Sequence, residues 1–206
     1  MRLRRFRFFS LLFPLFAFIV AAVPARADTP TALITRLNAT LLATMQSAKD
    51  LGYEGRYKKL APVLETTFDM SFMTQYAAGR YWRTLTAAQK KQLIDAFSRL
   101  TIATYANRFD GYSGEKFQII SEETPREGNR LVNSELVKSD GEPVKLNYLL
   151  RETKDGWRVI DVFLKGTISE LATKRSEYSS ALGNQGFDGL MAIFEQKING
   201  LTAQKS

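Results

Sequence analysis

The segment VKLNYLLRETKDGWRVIDVFLKGTIS, residues 144–169, decides the fold of this chain. In its first half the apolar residues Val144, Leu146 and Tyr148 alternate with polar ones, a period of two that predicts a strand with one buried face. The Asp-Gly pair at 155–156 predicts a tight hairpin turn into a second strand. The segment therefore predicts two adjacent antiparallel strands.

The second strand is apolar on both sides, which indicates a strand inside a sheet rather than at its edge. We expect one face to carry Trp157, Val159 and Phe163 and the other to carry Ile160, Val162 and Leu164. Gly166 predicts the end of this strand. Thr167 or Ser169 can then cap a following helix by accepting a hydrogen bond from its free N–H groups.

Helical periodicity surrounds the strands on both sides. Apolar residues every three or four positions predict four helices before the strands: over residues 30–50, from Arg56 onward, from an Asp69 cap to Gly79, and from a Thr86 capping box to residue 110. The same spacing predicts two helices after the strands, over residues 168–183 and 187–201. Two further strands are predicted near 117–120 and 131–137, joined by short turns that indicate an antiparallel meander. The expected fold is α+β, a four-stranded antiparallel curved sheet packed by N-terminal and C-terminal helices.

The first 27 residues resemble a secretory signal. Four arginines precede an apolar run, and Ala25-Arg26-Ala27 forms a small-x-small cleavage site. The alternative is a single membrane-spanning anchor, but the run is short for the roughly 20 residues needed and contains Pro14. We therefore predict a cleaved signal peptide, residues 1–27, export to the periplasm, and a single domain over residues 28–206.

Charge and composition exclude several classes of function. Without residues 1–27 the 29 basic residues fall by five to 24 against 21 acidic residues, so the net charge falls from +8 to +3. This modest charge argues against nucleic acid as a partner. The sequence contains no Cys and no His, which excludes disulfides, the commonest zinc sites and nucleophilic arrangements that use Ser-His-Asp or Cys-His. We expect no cofactor and no metal.

Three blocks of the sequence resemble a known family. They are GRYWRTLTAAQKKQLIDAFSRLTIATYANRF (79–109), GWRVIDVFLKGTIS (156–169) and RSEYSSALGNQGFDGLMAIFEQKI (175–198). Together they are similar to the MlaC, or toluene-tolerance, family of periplasmic lipid carriers that work with an inner-membrane ABC transporter. Where phospholipid carriers usually have Asn-Tyr-Arg, residues 166–172 read GTISELA. This departure is similar to the hopanoid-associated branch, so phospholipid and hopanoid are both candidate ligands.

The resemblance implies that lipid tails occupy an apolar cavity between sheet and helices. The side chains that we select as its lining are Met73, Tyr76, Phe97, Tyr105, Leu146, Tyr148, Leu150, Val159 and Phe163. For each of them the alternative is ordinary core packing. Arg80 and Arg83 are candidates for contact with a headgroup phosphate, the alternative being a solvated helix end. The implied partners are an inner-membrane lipid transporter complex and an outer-membrane donor or acceptor complex, and we expect a monomer.

Two other functions compete with lipid carriage. A small isomerase-like enzyme on a cone-shaped α+β fold would use Asp161 as acid or base, with Tyr105 or Tyr148 stabilising an oxyanion. A non-catalytic adaptor would have a filled core and a large exposed apolar patch, for which the helix at 187–201 is the best candidate.

Overall fold

The structure is a computed structural model that describes residues 28–203, so the predicted signal peptide lies outside the described residues. Four helices come first: α1 (Pro30–Gln46), α2 (Ala48–Thr67), α3 (Met70–Ala78) and α4 (Ala87–Arg108), with a 3-10 helix (Gly79–Thr84) between the last two. Five strands and a helix follow: β1 (Lys116–Glu123), β2 (Asn129–Val137), β3 (Pro143–Thr153), β4 (Gly156–Leu164), β5 (Ile168–Ser169) and α5 (Glu170–Ala203). Within residues 28–203, no helix combines the length and apolarity that crossing a bilayer requires.

The helix boundaries follow the capping residues in the sequence. Asp69 accepts a hydrogen bond from the Phe72 N–H at 2.9 Å and caps α3. Gly79, at φ +59°, ends the same helix. Thr86 and Gln89 form the predicted reciprocal capping box of α4, with N–H to side-chain distances of 3.0 and 3.2 Å. The structure thus confirms the predicted caps. They could be predicted because each cap depends only on residues close in sequence.

The first two helices divide at a different place from the predicted one. The first ends at Gln46, not near residue 50, and the second begins at Ala48, with an interruption at Gly52 where φ is +58°. At the other end of the chain, the two predicted helices form α5, which is interrupted at Gly186 (φ +72°). Both interruptions occur at glycine because a left-handed backbone disfavours residues with a Cβ.

The sheet is an antiparallel meander in the order β1-β2-β3-β4-β5. The meander was predicted, but the number of strands was wrong, since the sheet has five strands and not four. After β4, Lys165 (φ +52°) and Gly166 (φ +82°) turn the chain back, and the Thr167 N–H donates to the Leu164 carbonyl at 3.2 Å. Ile168 and Ser169 then pair with the end of β4. Two residues are too few to show a strand period.

A β-bulge at Ile160 changes which side chains of β4 face the helices. Leu150 pairs with Val159, Leu149 with Asp161 and Tyr148 with Val162, so β4 has one residue more than β3 over this span. Such an extra residue interrupts the alternation of the strand. Val159, Val162 and Leu164 consequently share the inner face with Tyr148, whereas Phe163 faces outward. The predicted grouping of Val159 with Phe163 was wrong for this reason.

The junction between α2 and α3 is hydrogen-bonded to the edge of β4, where Phe68 forms a parallel bridge with Val159. The Asp69 N–H donates to the Val159 carbonyl at 2.9 Å. The Asp69 carboxylate accepts from the guanidinium of Arg151 on β3 at 2.7 Å, and this guanidinium lies 4.2 Å from the ring centre of Phe72. These contacts hold the end of α2 against the middle of β4.

Arg56 is a buried cation that joins α2 to the end of α4. It is 4% exposed, its Nε donates to the Ala106 carbonyl at 2.8 Å, and its Nη1 donates to the Ala48 carbonyl at 3.0 Å. Ala106 lies in the last turn of α4, where carbonyls lack intrahelical partners. Arg56 therefore caps the end of the helix that carries Tyr105 and Arg108.

We expect Arg56→Met to lower the free energy of unfolding by about 2 kcal/mol. The variant loses two charge-assisted hydrogen bonds, worth about 1.5–3 kcal/mol each, but it also removes the desolvation cost of a buried cation whose Nη2 has no partner. Urea unfolding monitored by circular dichroism measures the change. Arg83→Met, at an exposed position, is the matched control. Equal stability of the two variants would show that Arg56 does not stabilise this corner.

Candidate functional site

A cavity of about 310 Å³ lies between the helices and the inner face of the sheet. The sheet side of its wall consists of Leu136, Val144, Leu146, Tyr148, Val162 and Leu164. The helix side consists of Phe68, Met73, Thr101, Thr104, Tyr105 and Phe109. This volume is at the lower end of the range of small-molecule sites, about 300–1,000 Å³. The wall is almost wholly apolar, so the cavity suits an apolar ligand.

The helix α4 supplies much of the wall because its inner residues recur at helical spacing. Thr101, Thr104, Tyr105 and Arg108 are three or four positions apart and lie on one face. The ring of Tyr105 contacts Phe68 edge-on at 5.8 Å and lies 5.6 Å from Phe109. Together these three rings form an aromatic part of the wall.

Two phenol groups border this apolar space. Tyr148 is 1% exposed, and burial raises the pKa of its hydroxyl well above the ordinary value, with a smaller contribution from Tyr105. Burial also raises the pKa of Tyr105, an effect that nearby Arg108 opposes and Glu170 reinforces. Both phenols are therefore neutral hydrogen-bond donors at physiological pH.

Charged residues surround the mouth of the cavity. Arg108, Lys165 and Lys174 border it together with one acid, Glu170. Among residues 28–203, none of these three cations forms an ion pair within 4 Å. Burial lowers the pKa of Lys174, and Glu170 opposes this effect. The mouth thus has more positive than negative groups.

Lys165 stands at the mouth in an unusual backbone conformation. It is the one residue other than glycine with positive φ, +52°, in residues 28–203. A left-handed conformation costs an L-residue roughly 1–2 kcal/mol. Lys165 and Gly166 are the central residues of the turn that joins β4 to β5, and the type I′ turns favoured in hairpins have positive φ at both central positions. The turn thus places a lysine at the opening of the cavity.

The structure places four of the nine predicted lining residues against the cavity: Met73, Tyr105, Leu146 and Tyr148. Phe97, Leu150 and Val159 are instead fully buried in the hydrophobic core. Tyr76 is 39% exposed, with the Arg175 guanidinium 4.6 Å from its ring centre. Phe163 faces outward because of the bulge at Ile160.

Some of the other residues that line the cavity could have been predicted from the sequence pattern, and others could not. Val144 belongs to the same alternating face as Leu146 and Tyr148, so the alternation of β3 predicts that Val144 also faces the cavity. Val162 and Leu164 have no such signal because the bulge reverses their orientation. The mouth residues Arg108 and Lys165 were also missed, since exposed cations are common in any helix end or turn.

The predicted acid and oxyanion groups of an enzyme do not converge. Asp161 pairs with Leu149 on the outer face of the sheet, opposite to Tyr148, and does not border the cavity. Its carboxylate instead accepts hydrogen bonds from Ser169 Oγ at 2.6 Å and from the Leu171 N–H at 3.0 Å. Asp161 therefore serves to cap and position the start of α5.

The C-terminal helix does not present the apolar patch that an adaptor would need. Leu190 and Phe194 are fully buried, and Phe187, Met191, Ile198 and Leu201 pack against the core. Arg80 and Arg83, predicted to meet a headgroup, belong to the 3-10 helix and do not border the cavity. The cations at its mouth are Arg108, Lys165 and Lys174 instead.

Comparisons with known proteins agree with this architecture. The family model described as MlaC protein matches residues 35–196. The chain is 24% identical over 199 residues to the intermembrane phospholipid transport system binding protein MlaC of Haemophilus influenzae, covering 93% of this chain and 92% of the relative. Its fold matches that of a phospholipid-binding protein from Ralstonia solanacearum, which was solved in complex with a phospholipid. The TM-score is 0.75 and the sequence identity is 23%, and the match covers 84% of this chain and 99% of the other. The chain belongs to the MlaC protein family.

Proposed function

We propose that this protein is a periplasmic lipid carrier that holds lipid tails in the cavity and shuttles lipid between the inner and outer membranes. The observation that carries the proposal is the apolar cavity with unpaired cations at its mouth. In this proposal residues 1–27 are a cleaved signal peptide and residues 28–206 form one monomeric lipid-binding domain. The proposed partners are an ABC-type transporter complex at the inner membrane and a donor or acceptor complex at the outer membrane.

The energetics of lipid transfer explain why such a cavity is needed. Moving one CH₂ group from an apolar phase into water costs about 0.8 kcal/mol, so free diffusion of a whole lipid through water is prohibitively slow. A cavity that replaces the burial provided by the bilayer removes this barrier. Loading and unloading then have a net free energy near zero, so the direction of transport must come from the partners.

The cavity has room for part of the tails of a lipid. At about 30 Å³ for a group the size of a water molecule, a 310 Å³ cavity takes on the order of ten methylene-sized groups. An adjoining groove of about 680 Å³ between α4 and the two halves of α5 shares Thr104, Arg108, Glu170 and Lys174 with the cavity. In the proposal, the cavity holds the part of the tails next to the headgroup, and the groove, which has the same cations at its edge, lies beside the polar end of the lipid.

The charges at the mouth favour phospholipid over hopanoid. Arg108, Lys165 and Lys174 would lie beside the polar end of a lipid whose tails enter the cavity. Arginine and lysine are the usual protein partners of phosphate groups, through charge-assisted hydrogen bonds. A hopanoid without a phosphate would leave these cations without a partner. The phospholipid transport role named for the H. influenzae relative supports the same choice.

Native mass spectrometry of the protein purified from the periplasm of its own organism tests the proposal. We expect a one-to-one complex with a lipid, and extraction should identify a phospholipid with two chains. A bound hopanoid would retain the carrier function but contradict the choice of phospholipid. A protein that arrives empty and takes up neither lipid from vesicles would refute the carrier function itself.

A further inference from the structure

The hydroxyls of Tyr105 and Tyr148 are polar groups without a protein partner in an otherwise apolar site. Both side chains border the cavity, and Tyr148 is almost completely buried. In the described part of the chain, neither hydroxyl forms a hydrogen bond with a protein group, and Tyr105 makes ring contacts only. Buried tyrosine hydroxyls normally have a partner. Tyr148 is almost completely buried and Tyr105 is half-buried, and both border the same cavity, which indicates that their partner belongs to a ligand.

The position of the two phenols relative to the mouth indicates which part of a lipid they would meet. Tyr105 lies three residues before Arg108, about 4.5 Å along α4. Tyr148 lies two residues beyond Leu146, about 7 Å along β3, and Leu146 pairs with Leu164, the residue next to Lys165. The wall therefore has cations at the opening, phenols further in, and apolar side chains around them.

A glycerolipid has the same order of chemical groups. Its phosphate is followed by the glycerol carbons, then by the two ester carbonyls, then by the tails. An ester carbonyl accepts hydrogen bonds but does not donate them, so it matches a phenol that stays protonated. A hydrocarbon ring system or an ether-linked chain lacks this carbonyl oxygen.

We propose that Tyr105 and Tyr148 donate hydrogen bonds to the ester carbonyl oxygens of a bound glycerolipid, so that the protein recognises the linkage between tails and headgroup. This inference rests on the proposed carrier function and specifies its ligand as an ester-linked lipid. The phenols act as positioning donors, and the apolar wall provides the burial of the tails.

Competition between two synthetic lipids tests this assignment. Delipidated protein is incubated with vesicles containing equal amounts of ester-linked and ether-linked phosphatidylglycerol of the same chain length, and native mass spectrometry gives the ratio of the two complexes. The lipids share headgroup and tails and differ in the carbonyl oxygens. We expect the wild type to prefer the ester lipid. Tyr105→Phe and Tyr148→Phe should each reduce the ratio by about threefold to tenfold, the usual effect of one neutral hydrogen bond.

Tyr53→Phe is the matched control because Tyr53 is also a buried tyrosine but borders neither the cavity nor the adjoining groove. It should leave the ratio unchanged. A wild type that loads both lipids equally, or a ratio that neither cavity variant reduces, would overturn the assignment while the carrier function stands. A wild type that loads neither lipid would overturn both.

Discussion

Leu146→Trp is expected to abolish lipid loading while the protein stays folded. Leu146 belongs to the sheet side of the cavity wall, whose helix side includes Tyr105 and Phe109. An indole at this position would extend into empty space and occupy much of a 310 Å³ cavity. Overpacking a filled core costs about 1–3 kcal/mol, but the cavity leaves room for the larger ring. We expect at least a tenfold loss of bound lipid, about 1.4 kcal/mol in binding free energy.

The measurement is the fraction of protein that carries lipid after incubation with phospholipid vesicles, together with the urea midpoint of unfolding. Ile120→Trp is the matched control, since it makes the same kind of change on the same sheet at a residue that is 56% exposed and does not border the cavity. The control should load lipid like the wild type. If Leu146→Trp loads as much lipid as Ile120→Trp, the tails do not occupy this cavity.

Asp161→Ala is expected to lower the free energy of unfolding by about 3–5 kcal/mol. The Asp161 carboxylate accepts hydrogen bonds from the Val162 N–H, the Leu171 N–H and Ser169 Oγ at 2.6 to 3.0 Å. Hydrogen bonds to a charged group contribute about 1.5–3 kcal/mol each, and a buried donor left without its acceptor adds a desolvation cost. Because these contacts join β4 to the first turn of α5, the variant should also loosen the helix that carries Glu170 and Lys174.

Urea unfolding monitored by both circular dichroism and tryptophan fluorescence measures this change. Ser169→Ala removes one of the three donors and should cost about 1–2 kcal/mol. Glu54→Ala, at an exposed position of α2, is the control for loss of a carboxylate and should change the stability by less than about 0.5 kcal/mol. An Asp161→Ala variant as stable as Glu54→Ala would mean that the carboxylate does not hold this junction.

Neighbouring residues of β4 have different roles on the two faces of the sheet. Asp161 lies on the outer face of β4 and fixes the start of α5, whereas Val162, the next residue, faces the cavity. Adjacent residues of one strand therefore hold the start of α5 and line the cavity. This arrangement explains why a carboxylate occurs within an apolar strand although it does not border the cavity.

Several features could be predicted from the sequence because they depend on neighbouring residues. The Asp69 cap, the capping box at Thr86 and Gln89, and the turn at residues 155–156 each require only a short segment of chain. The antiparallel meander follows from short turns between successive strands. The periodicity of apolar residues then gave the α+β class, and the resemblance of three sequence blocks gave the family.

The lining of the cavity was decided by the tertiary structure. Phe97 and Tyr105 have the same helical periodicity, yet Phe97 packs in the core and Tyr105 borders the cavity. The period of a helix or strand identifies the face that leaves water, but it contains no information on whether a facing side chain fills the space opposite. Likewise the bulge at Ile160 depends on pairing with β3, and this pairing determines that Val162, not Phe163, faces the helices. Local sequence therefore determined the elements and their order, whereas register and packing between distant segments determined the site.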